Sequence, residues 1–199
     1  MSTAYEQSGR SRQKQRTRTE LVDAARRLIA QGGTPPTVAE AASAASISRT
    51  TAYRYFGTQR DLLAAAHPET ERTSLLPDDI GDDPEVRLTA AVAAFLETIL
   101  ATEAQQRTML RLSLESSTKP GQLPLRKGRA IGWFEEALSP LLPEIGADGV
   151  HRLAIAVRSA VGIESLVWLL DVAALTRADA AALMATSAVA MLRHATSAG

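Results

Sequence analysis

Apolar residues recur along this chain at helical spacing, and no segment sustains the alternation of a strand. From Thr17 to Gln31, Leu21, Ala24, Ala25, Leu28 and Ile29 fall on one face of a helix. Gly32-Gly33 end it, and Thr34-Pro35-Pro36 cannot continue it. Thr37 is a good N-cap for a second helix, with Glu40 three residues on completing a capping box, and that helix reaches about Ala44. Ser46 turns the chain, Ser48 caps a third helix ending near Phe56-Gly57, and Thr58 caps a fourth running to Ala66 before His67-Pro68. The stretch 69–84, rich in Pro, Asp and Thr, reads as a connection. Five further helices are expected over 84–101, 104–117, 124–142, 148–172 and 177–196, separated by turn signals at Lys119-Pro120-Gly121, Pro143, Gly146 and Thr176. The fold class is all-α, with about nine helices in all: a small N-terminal bundle joined to a larger helical domain.

Thr37 to Leu63 is the most informative segment. An alanine-rich helix, a tight turn and a short polar-aromatic helix follow one another with no spare residues. That is helix-turn-helix spacing, in which the second helix enters the DNA major groove. Serine, arginine, threonine and tyrosine crowd the short element; they form poor cores but donate well to phosphates and base edges.

Charge supports that reading. The formal net charge is zero, yet the charges are segregated. Residues 1–60 hold ten Lys/Arg against four Asp/Glu, ten minus four giving +6. Residues 61–199 hold twelve against eighteen, giving −6. A basic front end is drawn to a polyanion while the acidic remainder is kept off it. With no cysteine there is no disulfide or thiolate metal site. The polar N-terminus lacks an apolar signal core, and no run approaches the ~20 apolar residues that span a bilayer, so the expected location is the cytoplasm, away from membranes. His67, His151 and His194 are scattered, without metal-ligand spacing, a phosphate loop or a nucleophile elbow, so an enzyme is not expected. Nor is a cofactor. The competing reading is a helical adaptor whose N-terminal module binds a protein.

The last two helical segments are apolar nearly all round. Ile163, Leu166 and Leu170 stand in one, Leu183, Val189 and Met191 in the other. Such helices are either simply buried core, or bury one face on their own domain and another on a partner. A two-fold dimer with a four-helix interface is the more economical account, and it makes those six residues candidate interface positions.

The segment Thr37-Val38, Ala41-Ala42, Ala45-Ser46-Ile47-Ser48, Thr51, Tyr53-Arg54-Tyr55-Phe56-Gly57 and Leu62-Leu63 resembles the tetracycline-repressor (TetR) family of bacterial transcription regulators. Three departures stand out. Ser46 occupies a turn position where the family often has glycine, Ala41 and Ala52 replace bulkier aliphatics, and Gln59-Arg60 replace a frequent lysine. The resemblance implies a homodimer on double-stranded DNA, most often a repressor released from a palindromic operator by a small, rather apolar effector. It divides the chain into a flexible basic arm (1–15), a helix-turn-helix head (16–66) and a ligand-binding and dimerisation domain (67–199).

Within the head, Ser48, Arg49, Thr50 and Thr51 stand on the first turn of the recognition helix, where base edges are read, with Ala52 turned to the core. Arg49 is the candidate for bidentate guanine readout, and Thr50 could pack its methyl on a thymine. Tyr53, Tyr55, Thr37 and Ser48 are phosphate candidates. Arg54 is a phosphate contact or a solvated charge, and Gln59 and Arg60 are further backbone candidates. Arg16 and Arg18, beside the arm, add salt-dependent affinity or reach a minor groove. Phe56 is expected in the core. In the larger domain the resemblance implies a pocket, for which Phe95, Met109, Leu112, Trp133, Phe134 and Trp168 are candidate lining residues, with Arg111, Glu115 or Glu164 as polar anchors. The basic run Arg126-Lys127-Gly128-Arg129 reads as a solvated turn or an anion contact.

Overall fold

The computed structural model describes residues 4–31, 34–67, 72–114 and 129–197, with side chains in the first helix described from Arg12 onward. Glu115, the turn at 119–121 and Arg126 to Gly128 lie outside the described residues, as do Gly32-Gly33 and Pro68. The described residues are helical and contain no strand. The first four helices are α1 (Ala4–Ala30), α2 (Val38–Ala44), α3 (Arg49–Tyr55) and α4 (Gln59–Ala66). Then come α5 (Pro84–Ala101), α6 (Glu103–Leu114), α7 (Arg129–Ala137), a 3-10 turn (Ser139–Leu141), α8 (Leu142–Ala160), α9 (Ile163–Asp171) and α10 (Arg177–Ser197).

The caps form where the hydroxyl and carboxylate residues sit. Thr37 and Glu40 close a reciprocal capping box on α2, Ser48 accepts the Thr51 N–H on α3, and Thr58 accepts the Asp61 N–H on α4. Asp83 accepts from the N–H groups of Glu85 and Val86, with Pro84 in the first turn of α5. The turn after α2 carries the Schellman pattern. Ile47 N–H donates to the Ala42 carbonyl at 2.9 Å and Ser46 N–H to that of Ser43 at 3.1 Å. Ser46 therefore takes a left-handed φ of 56°, the conformation that glycine adopts at least cost.

Two expectations change. The arm expected over 1–15 is largely helix, because α1 begins at Ala4 and runs without interruption to Ala30. The single helix expected over 148–172 is two. Extended backbone at Val161 and Gly162 separates α8 from α9 and redirects the chain. A Cβ on Gly162 would stand 2.0 Å from the Arg158 guanidinium, so a larger residue there would push aside the end of that side chain and its pairing with Glu164. Ahead of it, Gly146 breaks the regular dihedrals of α8 with a φ of 68°.

The helices pack around two hydrophobic clusters. The first joins Leu21, Val22 and Ala25 of α1 to Val38, Ala41, Ala42, Ala52, Phe56, Leu62 and Ala66. Ala41, Ala42 and Ala52 are completely buried, so alanine methyls fill the places where α2 meets its neighbours. The second cluster is centred on Phe95, Phe134, Ile99, Leu138, Val157, Leu166 and Met184. The stretch Ser139–Asp171 is long and apolar enough by composition to cross a bilayer. It is divided, however, into the 3-10 turn, α8 and α9, and its Leu153, Val157 and Leu166 are buried in that second cluster.

Helix α6 connects the two clusters. Gln105, 1% exposed, donates its amide to the Leu63 carbonyl of α4 at 3.1 Å. In the reverse direction Arg60 of α4 donates to the Leu112 carbonyl of α6 at 2.6 Å.

Candidate DNA-binding site

Helix α3 is short and two-sided. Ala52, and Phe56 just past its end, point into the head's core at 0% and 2% exposure, which fixes the helix against α2. Arg49, Thr50, Tyr53 and Arg54 then share the outer face, all exposed, with Tyr53 about half so. A helix presenting a guanidinium, a threonine methyl and hydroxyl, and a phenol on one outer face has the donors and the apolar contact that major-groove readout uses.

Several candidates are held differently from the sequence expectation. The Ser48 hydroxyl donates to Thr51 Oγ1 at 2.8 Å while accepting the Thr51 N–H at 3.1 Å. Both hydroxyls are thus engaged in the cap, and Thr51 is only half-exposed. Thr37 likewise donates to the Glu40 carboxylate at 2.8 Å, and those Thr37 hydrogen bonds hold the Glu40 carboxyl below its ordinary range. For Thr37 and Ser48 the hydroxyl's proton already has an acceptor inside the protein, so a phosphate contact would have to displace it, while Thr51 Oγ1 serves as the acceptor for Ser48. Gln59 does not reach outward: its amide donates to the carbonyls of Pro35 at 2.9 Å and Pro36 at 3.3 Å, pinning the start of α4 to the segment before α2. Arg60 spans to α6 as described, which makes it a tie between helices. Tyr55 is half-buried against the head's core.

On α1, Arg16 pairs with Glu20 at 3.0 Å, both well exposed, an ion pair of small net worth that a phosphate can replace. Arg18 lies over the ring of Phe56, 5.2 Å from its centroid. That places it at the C-terminal end of the recognition helix.

The six candidate pocket residues do not come together. Phe95, Trp133 and Phe134 pack edge to face, with centroids 5.6 Å apart for Phe95–Phe134 and 6.3 Å for Phe95–Trp133. The Trp133 indole N–H donates to the Thr73 carbonyl at 3.2 Å. These rings and Met109 are core. Leu112 lies half-buried on α6, where its carbonyl receives Arg60. Trp168 stands apart, 57% exposed, on an open groove of about 420 Å³ shared with Ala160, Glu164, Ser165, Leu183, Met184 and Ser187. Of the polar anchors, Glu164 pairs with Arg158 at 3.1 Å, and Arg158 lies 5.6 Å above the Phe95 ring.

The candidate interface residues divide in the same way. Ile163 and Leu166 are buried in the chain's own core, at 6% and 0% exposure, because the break at Gly162 turns that face of α9 inward. Leu170 and Met191 are half-buried against the same core. Val189 is half-buried in a second groove, between α5 and α10, that Glu85 and Arg193 also line. Leu183 is 45% exposed, beside Trp168, and Val172 is 68% exposed at the end of α9. The outward face of the α9–α10 pair is therefore Trp168, Val172 and Leu183.

Sequence reasoning missed the polar residues that join elements. Gln105 belongs to a helix whose buried face carries Gln105, Gln106, Met109 and Ser113, a mixture without apolar periodicity. Arg107 bridges α6 to Asp171 of α9 at 2.6 Å and to Glu103 at 2.8 Å. Arg177 of α10 reaches the same Glu103 at 2.8 Å. Burial acts to raise the Glu103 carboxyl, but the two guanidinium groups outweigh it and lower it on balance. Asp171, the other carboxylate on Arg107, is lowered by its hydrogen bond from that guanidinium.

Residues 21–66 match the family model described as bacterial regulatory proteins, tetR family. A comparison with curated proteins gives no match. The matched stretch runs from the first buried leucine of α1 to the last residue of α4, the helices that enclose the head's core. Over this helix-turn-helix region the chain is similar to the tetR family of bacterial regulatory proteins, which are DNA-binding transcriptional regulators.

Proposed function

We propose that the protein is a dimeric repressor that binds a palindromic operator and is released from it by a small-molecule effector. The observation that carries the DNA-reading part is the two-sidedness of α3. Its inner face is locked by Ala52 and Phe56, while Arg49, Thr50, Tyr53 and Arg54 face outward together. Arg49 reads a guanine, Thr50 contacts the neighbouring base, and Tyr53 and Arg54 bind the flanking phosphates. Arg16 and Arg18 add backbone contacts. The supporting shell differs from the sequence expectation: Thr37, Ser48 and Thr51 serve first as caps, and Gln59 and Arg60 as ties that hold α4 in place.

Dimerisation uses the outward face of α9 and α10, where Trp168 and Leu183 offer an aromatic anchor beside an apolar groove. Two heads carried by a two-fold dimer reach successive major grooves at one fixed spacing. An effector that binds better to a differently spaced conformation lowers the population able to dock both heads. The route for that coupling is α6, fastened to α4 by Gln105 and Arg60 and to α9 and α10 by the Arg107–Asp171 and Glu103–Arg177 pairs.

Selection of the purified protein against a random duplex library at moderate salt tests the reading. An enriched palindrome is the expected result. Retention without sequence enrichment, or an enriched site without two-fold symmetry, would overturn the dimeric operator-reading proposal.

A further inference from the structure

The helix-turn-helix is a length of chain closed at its neck. It leaves the rest of the head at Pro35-Pro36, passes through α2, the Ser46 turn and α3, and returns at Thr58 and Gln59. Pro35 and Pro36 are both buried. A proline has no N–H, and its carbonyl still needs a donor when it is taken out of water. One side chain supplies both carbonyls. The Gln59 amide nitrogen donates to Pro35 at 2.9 Å and to Pro36 at 3.3 Å, and a primary amide has the two protons that this requires. Gln59 is itself half-buried. These bonds cross 24 and 23 residues of sequence and close α2, the turn and α3 into one loop.

Helix α3 needs that closure. It has seven residues, of which only Ala52 is buried; Tyr55 is half-buried, and Phe56 follows its end. Those three contacts lie three and four residues apart, in a single row along one side of the helix. A row of that kind fixes how deep a two-turn helix sits but lets it rock about the row. The rocking is limited where the chain enters and leaves. At the entry, α2 starts on the Thr37–Glu40 capping box directly after Pro36. At the exit, Thr58 caps α4 and Gln59 is its first residue. Gln59 joins these two starts. The next residue, Arg60, reaches a different element, the Leu112 carbonyl of α6 at 2.6 Å. The first turn of α4 is thus a fixed frame for the neck. Gln59-Arg60 stand where the resembled family often has lysine. A lysine would bring a flexible point charge, whereas the planar amide is turned inward as a clasp on two acceptors.

We infer that Gln59 is a positioning residue for DNA reading: its amide closes the neck of the helix-turn-helix and so sets the angle at which α3 presents Arg49 and Thr50, without touching DNA itself. The inference rests on the DNA-reading function proposed above. A tilted α3 still reaches phosphates through long, flexible side chains, but a bidentate contact to a base edge needs close alignment. Loss of the clasp therefore falls on specific binding and spares binding to unrelated sequence.

The test compares the full chain with Gln59→Met, which keeps the length and apolar stem of the side chain and removes its donors. Affinity is measured on the duplex recovered by site selection and on a duplex of unrelated sequence. The variant is expected to lose roughly tenfold on the selected duplex and less than about twofold on the unrelated one. In the free protein, amide hydrogen exchange should quicken across α2 and α3 while the buried half of α1 keeps its rates. A second measurement needs no variant, and so holds even where Gln59→Met fails to fold. In the unaltered chain, the Gln59 side-chain amide protons should exchange slowly by NMR, with and without the selected duplex. Fast exchange of those protons would overturn the inference. So would a loss of affinity with unchanged exchange in α2 and α3, which would mean that Gln59 touches DNA. Unchanged affinity of the variant for the selected duplex would also overturn it and leave the proposed function standing. Failure of the unaltered chain to select any duplex would overturn the proposed function, and this inference with it.

Discussion

At the residue scale, the sharpest expectation concerns Arg49, which stands on the exposed face of α3 beside Thr50. Arg49→Ala should relax preference at one operator position and cost about 1–3 kcal/mol there, leaving other positions alone. A binding-site selection with the variant checks this; an unaltered consensus would remove its base-reading role. A second expectation concerns the turn. Ser46 holds a φ of 56° in a Schellman turn whose two hydrogen bonds are both made. Ser46→Gly should therefore raise stability by about 1 kcal/mol and the melting temperature by roughly 3 °C. A lower melting temperature would mean that the Ser46 side chain contributes more than its backbone strain costs. The sequence showed that Thr37, Ser48 and Thr58 start helices, because a cap is a local bond between near neighbours. It could not show that the same bonds occupy the hydroxyls expected to reach phosphates, nor that Gln59 would fold back onto Pro35 and Pro36, 24 and 23 residues away.

At the element scale, α9 illustrates the difference between composition and orientation. Its apolar residues surround the helix, so periodicity alone could not say which face meets the protein's own core. The break at Gly162 decides it, turning Ile163 and Leu166 inward and Trp168 outward. Two variants separate the faces. Leu166→Arg should place an unpaired charge in the core and unfold the chain, seen as loss of helical circular dichroism. Trp168→Ala with Leu183→Arg should leave helicity intact and give monomers by light scattering. A folded dimer of the double variant would move the interface off this face. Helix α6 makes the complementary point. Gln105→Leu would strip the Leu63 carbonyl of a buried donor, at a cost of about 1–3 kcal/mol in stability. It should also loosen α4 against α6, read as faster hydrogen exchange in α4. Unchanged exchange there would show that the hydrogen bond does not hold the two helices together.

At the scale of the whole molecule, His67 ends α4, the last helix of the head, and is 4% exposed. Burial, aided by the positive charge of Arg129, lowers its pKa from an ordinary 6.5 to about 4. The folded state thus keeps His67 neutral where the unfolded chain would bind a proton. Its contribution is fully present above pH 6.5 and is lost as pH falls from 6.5 through about 4, amounting to about 3 kcal/mol. The lowered carboxyls of Glu103 and Asp171 act in the same direction at still lower pH. Unfolding free energy measured by denaturant should fall across that window, and His67→Phe should flatten the fall; parallel curves would show that His67 is protonated without cost. By itself the sequence determined the all-α class, the helix-turn-helix and its caps, and the division of charge between the two ends. These follow from interactions a few residues long, repeated at helical period, or from composition alone. Only the tertiary structure decided which faces of α9 and α10 are buried, that α6 ties the head to the rest through Gln105 and Arg60, and that α1 outruns its own core. Each of those depends on which distant surface a residue meets, and burial, hydrogen-bond partners and charge pairs across tens of residues are set by packing that no local pattern encodes.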